Sequence, residues 1–165
     1  MHTEAFEWIR EQATDQPISV IEIGSRNVNG TVRVLYPNAD WFGIDCEDGP
    51  DVDLVVDAIE YDPVEPADLV ICCEVFEHAA QWAAIIRRAA GWLKVGGEMI
   101  ITVAGAHRPP HSAFDGGEVR PGEYYQNVSA EALVGVAFAA GLRGYAVTVR
   151  DGQDVYYRGT LCNRT

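Results

Sequence analysis

The feature that most narrows the fold is the run Ala67-Asp68-Leu69-Val70-Ile71-Cys72-Cys73, almost wholly apolar and bounded by Pro66 and Glu74. It has the length of a strand and falls far short of the roughly 20 apolar residues that cross a bilayer. Its apolar residues do not alternate with polar ones, so the strand must be covered on both faces, as in the middle of a parallel sheet. Parallel strands need crossover connections, and the chain supplies them. Residues 18–23, 41–45, 53–57, 98–103, 142–149 and 155–161 read as further strands, and 4–13, 29–35, 79–93 and 130–140 as helices. Within 79–93, Trp82, Ile86, Ala89 and Leu93 share one helical stripe, with Gly96-Gly97 as its left-handed stop. Ser129 reads as the N-cap of the last helix. Asp151-Gly152 divides two terminal strands into an antiparallel pair. The expectation is an α/β fold with a mostly parallel seven-stranded sheet, an antiparallel C-terminal strand and helices on both faces, forming one domain over residues 1–165.

Charge excludes one class of partner. Twelve Lys plus Arg against 25 Asp plus Glu give a net charge of −13, which repels a polyphosphate, so nucleic acid is disfavoured. Residues 1–10 lack a basic stretch followed by an apolar core, so no secretory signal is read there and a cytoplasmic protein, without a membrane partner, is expected. Of the four cysteines, Cys72 and Cys73 point to opposite faces of the central strand, and no Cys-x-x-Cys pair exists; reduced core thiols are expected rather than a zinc site.

The strand ends carry the chemistry. The first strand ends in Glu22-Ile23-Gly24, followed by Ser25, Arg26 and a later Gly30; a glycine there lets backbone approach a ligand in the crevice where open α/β sheets bind nucleotides. Asp45, followed by Cys46, ends the second strand about 20 residues further on, the spacing at which a carboxylate accepts from ribose hydroxyls. Asp57-Ala58 ends the third, where a carboxylate can accept from an adenine amino group. Each acid alone reads as a surface turn; three at successive strand ends are harder to dismiss.

Over about residues 18–105 the chain resembles the class I S-adenosylmethionine-dependent methyltransferases, particularly the small group called methyltransferase type 11. The resemblance is carried by residues 67–78, ending in Glu74-Val75-Phe76-Glu77-His78, then a helix, then Leu93-Lys94-Val95-Gly96-Gly97 and a strand. It implies a Rossmann-like methyltransferase fold. It also implies S-adenosyl-L-methionine held by Glu22, Gly24, Ser25, Arg26, Gly30, Asp45, Cys46, Asp57, Ala58 and Glu74. The family commonly shows Glu-x-Gly-x-Gly-x-Gly, whereas this chain has Arg26 and Val28 after Gly24. A dinucleotide pyrophosphate needs Gly-x-Gly-x-x-Gly, so the same departure argues against a nicotinamide cofactor, while a phosphate-free sulfonium tolerates a bulkier loop.

Methyl transfer is an in-line displacement that needs alignment more than side-chain chemistry. An oxygen acceptor wants a base, for which His78 and His111 are the candidates. Glu74, Glu77 and His78 also resemble the metal-binding Glu-x-x-Glu-His motif of ubiquinone-pathway O-methyltransferases and small-RNA 3′-terminal methyltransferases, with His107 or His111 as a further ligand to a divalent metal. Residues 105–128, with Arg108, Asp115, Tyr124 and Tyr125, read as a lid over the acceptor. The leading expectation is O-methylation of a small-molecule acceptor. The alternatives are a metal-assisted RNA 3′-end 2′-O-methyltransferase and a non-catalytic S-adenosylmethionine-binding module; a homo-oligomer stays open.

Overall fold

Strand residues alternate between two buried layers. In the computed structural model, which describes residues 3–163, Leu69 and Ile71 of β4 (Ala67–Cys73) join Val20, Ile100 and Ile9 in one layer, while Val70 and Cys72 join Ile21, Ile23, Met99 and Ile101 in the other. This two-sided burial is what the unbroken apolar run requires, and it places β4 at the centre of the sheet. Met1 and His2, where the segment read as lacking a signal begins, lie outside the described residues, as do Arg164 and Thr165.

The other strands are β1 (Ser19–Ile23), β2 (Asp40–Asp45), β3 (Leu54–Val55), β5 (Leu93–Ala104), β6 (Leu142–Val149) and β7 (Asp154–Leu161). They form one seven-stranded sheet in the order β3-β2-β1-β4-β5-β7-β6. All pairs from β3 to β5 are parallel, and β7 runs antiparallel to both β5 and β6. The helices are α1 (Thr3–Gln12), α2 (Trp82–Ala89) and α3 (Ala130–Ala139). Ile9 of α1 packs in the first layer; Ile85 and Ile86 of α2 and Leu133 of α3 pack in the second, so helices cover both faces. Ser129 caps α3 as expected, its hydroxyl accepting from the Ala132 amide at 3.2 Å. Among the described residues no helix is long and apolar enough to cross a membrane.

Three expected elements come out differently. The stretch 29–35 forms only a 3₁₀ turn, Arg33–Leu35, because Arg33 is drawn into the strand ends by Glu22 and Asp51. The strand expected over 53–57 shrinks to β3, whose partner pairs are Ile44 with Leu54 and Asp45 with Val55. Helix α2 stops at Ala89 and passes through a 3₁₀ turn, so Leu93 opens β5 instead of closing the helix. Gly96-Gly97 therefore lies inside β5, where the pairing with β4 shifts register. A Cβ at Gly97 would press on the carbonyl oxygens of Ala67 and Asp68, 3.1 and 3.0 Å away, so the glycine permits close backbone approach where a helix stop was expected.

Candidate active site

The carboxyl ends of β1, β2 and β4 open onto a cleft of about 850 Å³, bounded on its far side by the loop leaving β5. That position is where open α/β sheets bind ligands, because strand order reverses on either side of β1 and β4 and the crossovers diverge. Asp45 and Asp57 both line it, as do Gly24 and Glu74.

The β1 end is shaped by contact with β2 and with the chain after β4. The amides of Gly24 and Ser25 both donate to the Ile44 carbonyl, at 2.9 and 3.1 Å, curling the chain over the neighbouring strand. Gly24 has φ +73°, and a Cβ there would collide with the Val75 side chain, so both conformation and space demand glycine. Ser25 is buried and its hydroxyl has no hydrogen-bond partner among the described residues, an unmet polar group facing the cleft. Glu22 is buried behind it, accepting from Arg33 Nε at 2.8 Å. Burial holds its carboxyl above the usual range against the opposing pull of Arg33.

Asp45 accepts from the Arg26 amide through Oδ2 and from the Glu47 amide through Oδ1, both at 3.0 Å. The carboxylate is thereby fixed in one orientation, with further acceptor capacity on each oxygen. Asp57 accepts from the Ile59 amide at 3.0 Å, closing a turn that brings Ala58 into the cleft wall. Cys46 lies between these acids; partial burial, then Asp57 and Asp45, push its thiol up, away from the reactive thiolate. Gly30 also reaches the wall, its amide donating to Asn27 Oδ1 at 3.0 Å.

The end of β4 carries the titratable groups. Glu74 adopts φ +57°, uncommon for a residue with a side chain, while its amide donates to Thr102 O at 2.8 Å. This turn directs the following Phe76–His78 3₁₀ segment under the loop from β5. The Glu74 carboxylate lies 3.5 Å from Arg108 Nη1, and Arg108 is also paired with Asp154, which is fully buried. Ligand atoms of Glu77, His78 and His111 lie within 4.8 Å of one another. The expected metal group of Glu74, Glu77 and His78 is thus brought together as Glu77, His78 and His111, with Glu74 facing Arg108. His107 stands elsewhere, its Nδ1 2.6 Å from the Asp151 carbonyl.

This group is electrically incomplete. Glu77 is fully buried, neither carboxylate oxygen makes a full hydrogen bond among the described residues, and what favours its anion is the nearby backbone at Glu77 and Ala104 together with the charge of Arg108. Burial, and then the Glu74 carboxylate, push Glu77 up to about 8. Burial, followed by His111, presses His78 down to about 4, and its Nδ1 has no hydrogen-bond partner among the described residues. The imidazoles of His78 and His111 pack edge-on at 5.0 Å, with the Tyr125 ring against both. Arg33 and Asp154 were not visible as site residues in the sequence, since a lone arginine and a strand-opening aspartate carry no pattern.

A family model described as a methyltransferase domain matches residues 1–147. No curated protein sequence matches. Among solved structures, the chain is similar to a Burkholderia thailandensis 1,6-didemethyltoxoflavin-N1-methyltransferase with bound 1,6-didemethyltoxoflavin and S-adenosylhomocysteine. That likeness has TM-score 0.70 and 12% identity, over 98% of this chain and 78% of that one. It is also similar to an S-adenosylmethionine-dependent methyltransferase from Clostridium acetobutylicum, with TM-score 0.71 and 12% identity over 99% and 93%. A third is a Haloferax volcanii methyltransferase in complex with the Trm112 methyltransferase activator, with TM-score 0.72 and 16% identity over 98% and 91%. These identities show a shared fold, while the family match extends over most of the chain. With the strand order and the cleft at the carboxyl ends of β1, β2 and β4, it follows that the chain belongs to the methyltransferase domain family, the class I S-adenosylmethionine-dependent enzymes.

Proposed function

We propose that this protein binds S-adenosyl-L-methionine along the β1–β2–β3 side of the cleft and methylates an oxygen of a small-molecule acceptor beside His78 and His111. The observation that carries the oxygen preference is the group of buried Glu77 with half-buried His78 and His111, whose oxygens and nitrogen left unpartnered among the described residues suit a divalent cation. The unpartnered Ser25 hydroxyl, the glycine-only turn at Gly24 and the oriented carboxylates of Asp45 and Asp57 suit the cofactor. When bound, the cofactor supplies an electrophilic methyl group on a sulfonium. Asp45 would accept from the ribose hydroxyls, Asp57 and Ala58 would flank the adenine, the neutral Cys46 thiol would line the wall between them, and Glu22 and Glu74 would add the negative field that a sulfonium favours.

His78 is neutral at neutral pH because its pKa is depressed, and so keeps a lone pair on one ring nitrogen. That suits a metal ligand better than a general base, since so weak a base holds an acceptor proton poorly. Glu77, His78 and His111 would hold the cation, whose chemistry is to lower the pKa of a hydroxyl acceptor. The chain's part is positioning: Arg108 holds Glu74 away from the cation group, and Tyr125 fixes both imidazoles. A small acceptor is supported by the Burkholderia neighbour, which holds one, and by the acidic charge.

Calorimetry with S-adenosylhomocysteine tests the cofactor, with micromolar binding expected and no heat at millimolar ligand rejecting it. Turnover on a panel of hydroxyl and amine acceptors, with manganese or with chelator, tests the acceptor atom. Methylation of hydroxyls that chelator abolishes and His111→Ala reduces at least roughly tenfold is the expected result. Metal-independent turnover on amines alone would reject oxygen transfer.

A further inference from the structure

Arg26 stands where the family pattern places a glycine, and its side chain has a course of its own. Its backbone amide serves Asp45, but its stem runs outward over Gly49, where an added Cβ would press on Arg26 Cγ and Cδ at 2.8 and 3.0 Å. The guanidinium ends over the Phe114 ring, Cζ 5.8 Å from the centroid. Arg120 stands over the same ring at 5.1 Å. Both distances fall within the range where a ring quadrupole attracts a cation.

Phe114 sits at the tip of the long loop, and that tip is closed on itself. Ser112 accepts at its carbonyl from the Gly116 amide and donates through its hydroxyl to Glu123 at 2.7 Å, while Arg120 pairs with Asp115. Segment 112–123 is therefore tied into one closed unit. The Phe114 ring is 43% exposed, so core burial does not explain its position. Arg26 and Phe114 both line the cleft, from loops after β1 and β5, and these strands flank β4. Their contact spans the opening above the β4 end.

We infer that Arg26 and Phe114 form a clasp that retains the cofactor, so that S-adenosylmethionine or its product leaves only when the loop tip lifts from Arg26. The inference rests on the cofactor reading above. A glycine at position 26 would allow close approach to the ligand; arginine instead gives the tip a seat that glycine cannot provide.

Stopped-flow measurement of S-adenosylhomocysteine dissociation from the full chain tests it, with Phe114→Ala, Phe114→Leu, Phe114→Tyr and wild type compared. Release about threefold to tenfold faster is expected for the alanine and leucine variants, the size of one or two exposed cation–ring contacts. The tyrosine variant, which keeps the ring face, should release at the wild-type rate. The urea midpoint without ligand should be the same for all four, since the ring is half in solvent. Equal release from Phe114→Ala and wild type overturns the clasp, as does a leucine variant behaving like tyrosine, which would make the contact mere apolar cover. Wild-type protein that binds no S-adenosylhomocysteine removes the cofactor reading and the clasp together, whereas binding with unchanged release removes the clasp alone.

Discussion

At the scale of single residues, the β1 side of the cleft depends on positions where only one side chain fits. Gly24 is the sharpest case, since it combines a left-handed backbone with the absence of room beside Val75. Gly24→Ala should cost roughly 1–2 kcal/mol for the left-handed alanine and about 1–3 kcal/mol for the overlap with Val75. The double variant Gly24→Ala with Val75→Ala separates the terms: the steric part should be relieved and the conformational part should remain. Urea denaturation of Gly24→Ala, Val75→Ala and the double variant against wild type reads this, and a Gly24→Ala variant as stable as wild type would show that the turn tolerates a side chain. Glycine at a strand end is recognisable from sequence; the partner that enforces it, Val75, is fifty-one positions away in the chain and comes near only because β1 and β4 pair.

At the scale of elements, the loop between β5 and α3 is held by its stems. Asn127 Nδ2 donates to the Gly105 carbonyl and, at 2.9 Å, to that of Arg108, while the Gln126 amide donates to Glu77 O and the Val128 amide to Ala104 O. One side chain thus ties both stems together and aligns the segment bearing Arg108 and His111. Asn127→Ala should cost about 1–3 kcal/mol, the range for net hydrogen bonds lost and carbonyls left unpaired. Hydrogen exchange should quicken over residues 105–128 with β4 unchanged. Exchange that quickens throughout would assign Asn127 to global stability instead. The sheet was legible because burial on both faces leaves a run such as 67–73, and the acids were legible because strand ends are marked by Gly24, Asp45 and Asp57. The loop was not. It has no period, and its geometry comes from side chain to carbonyl bonds such as those of Asn127, which leave no spacing in the sequence. The limit of helix α2 was misread for a related reason. Leu93 continues the apolar stripe of the helix, yet its pairing with Ala67 in the sheet decides its conformation. For the cluster of Glu77, His78 and His111, Glu77 and His78 stand out in the sequence as part of one motif, but that His111 and not His107 joins them follows from where the loop stems are tied.

At the scale of the molecule, the titration of buried groups sets how stability should follow pH. Burial raises the carboxyls of Glu22, Glu74 and Glu77, the last to about 8, so the folded chain holds these protons more tightly than the unfolded one. Their contribution is fully present below the ordinary value of 4.5 and is lost as pH rises through the raised values. His78 and His111 act oppositely: burial lowers both, so their contribution is present above 6.5 and lost as pH falls. Asp68, lowered by Lys94 and by the Ser19 amide, also weakens the fold on the acid side. Between 4.5 and 6.5 the two sets oppose each other; above 6.5 the raised carboxyls act, joined toward pH 8.5 by the thiols of Cys46, Cys72 and Cys73, which burial also raises. Metal-free protein should therefore lose stability from pH 6.5 to 8.5, by at most about 1.4 kcal/mol per pH unit for each proton by which folded and unfolded states differ. Glu77→Gln, which removes the main titrating group, should flatten the decline, and manganese should oppose it in wild type by supplying charge that the buried carboxylate lacks. Thermal melts across this window, with and without metal, give the comparison. A wild-type profile that is flat or rising above pH 6.5 would mean that Glu77 is already ionised and satisfied in the folded chain, leaving no charge for a cation to complete.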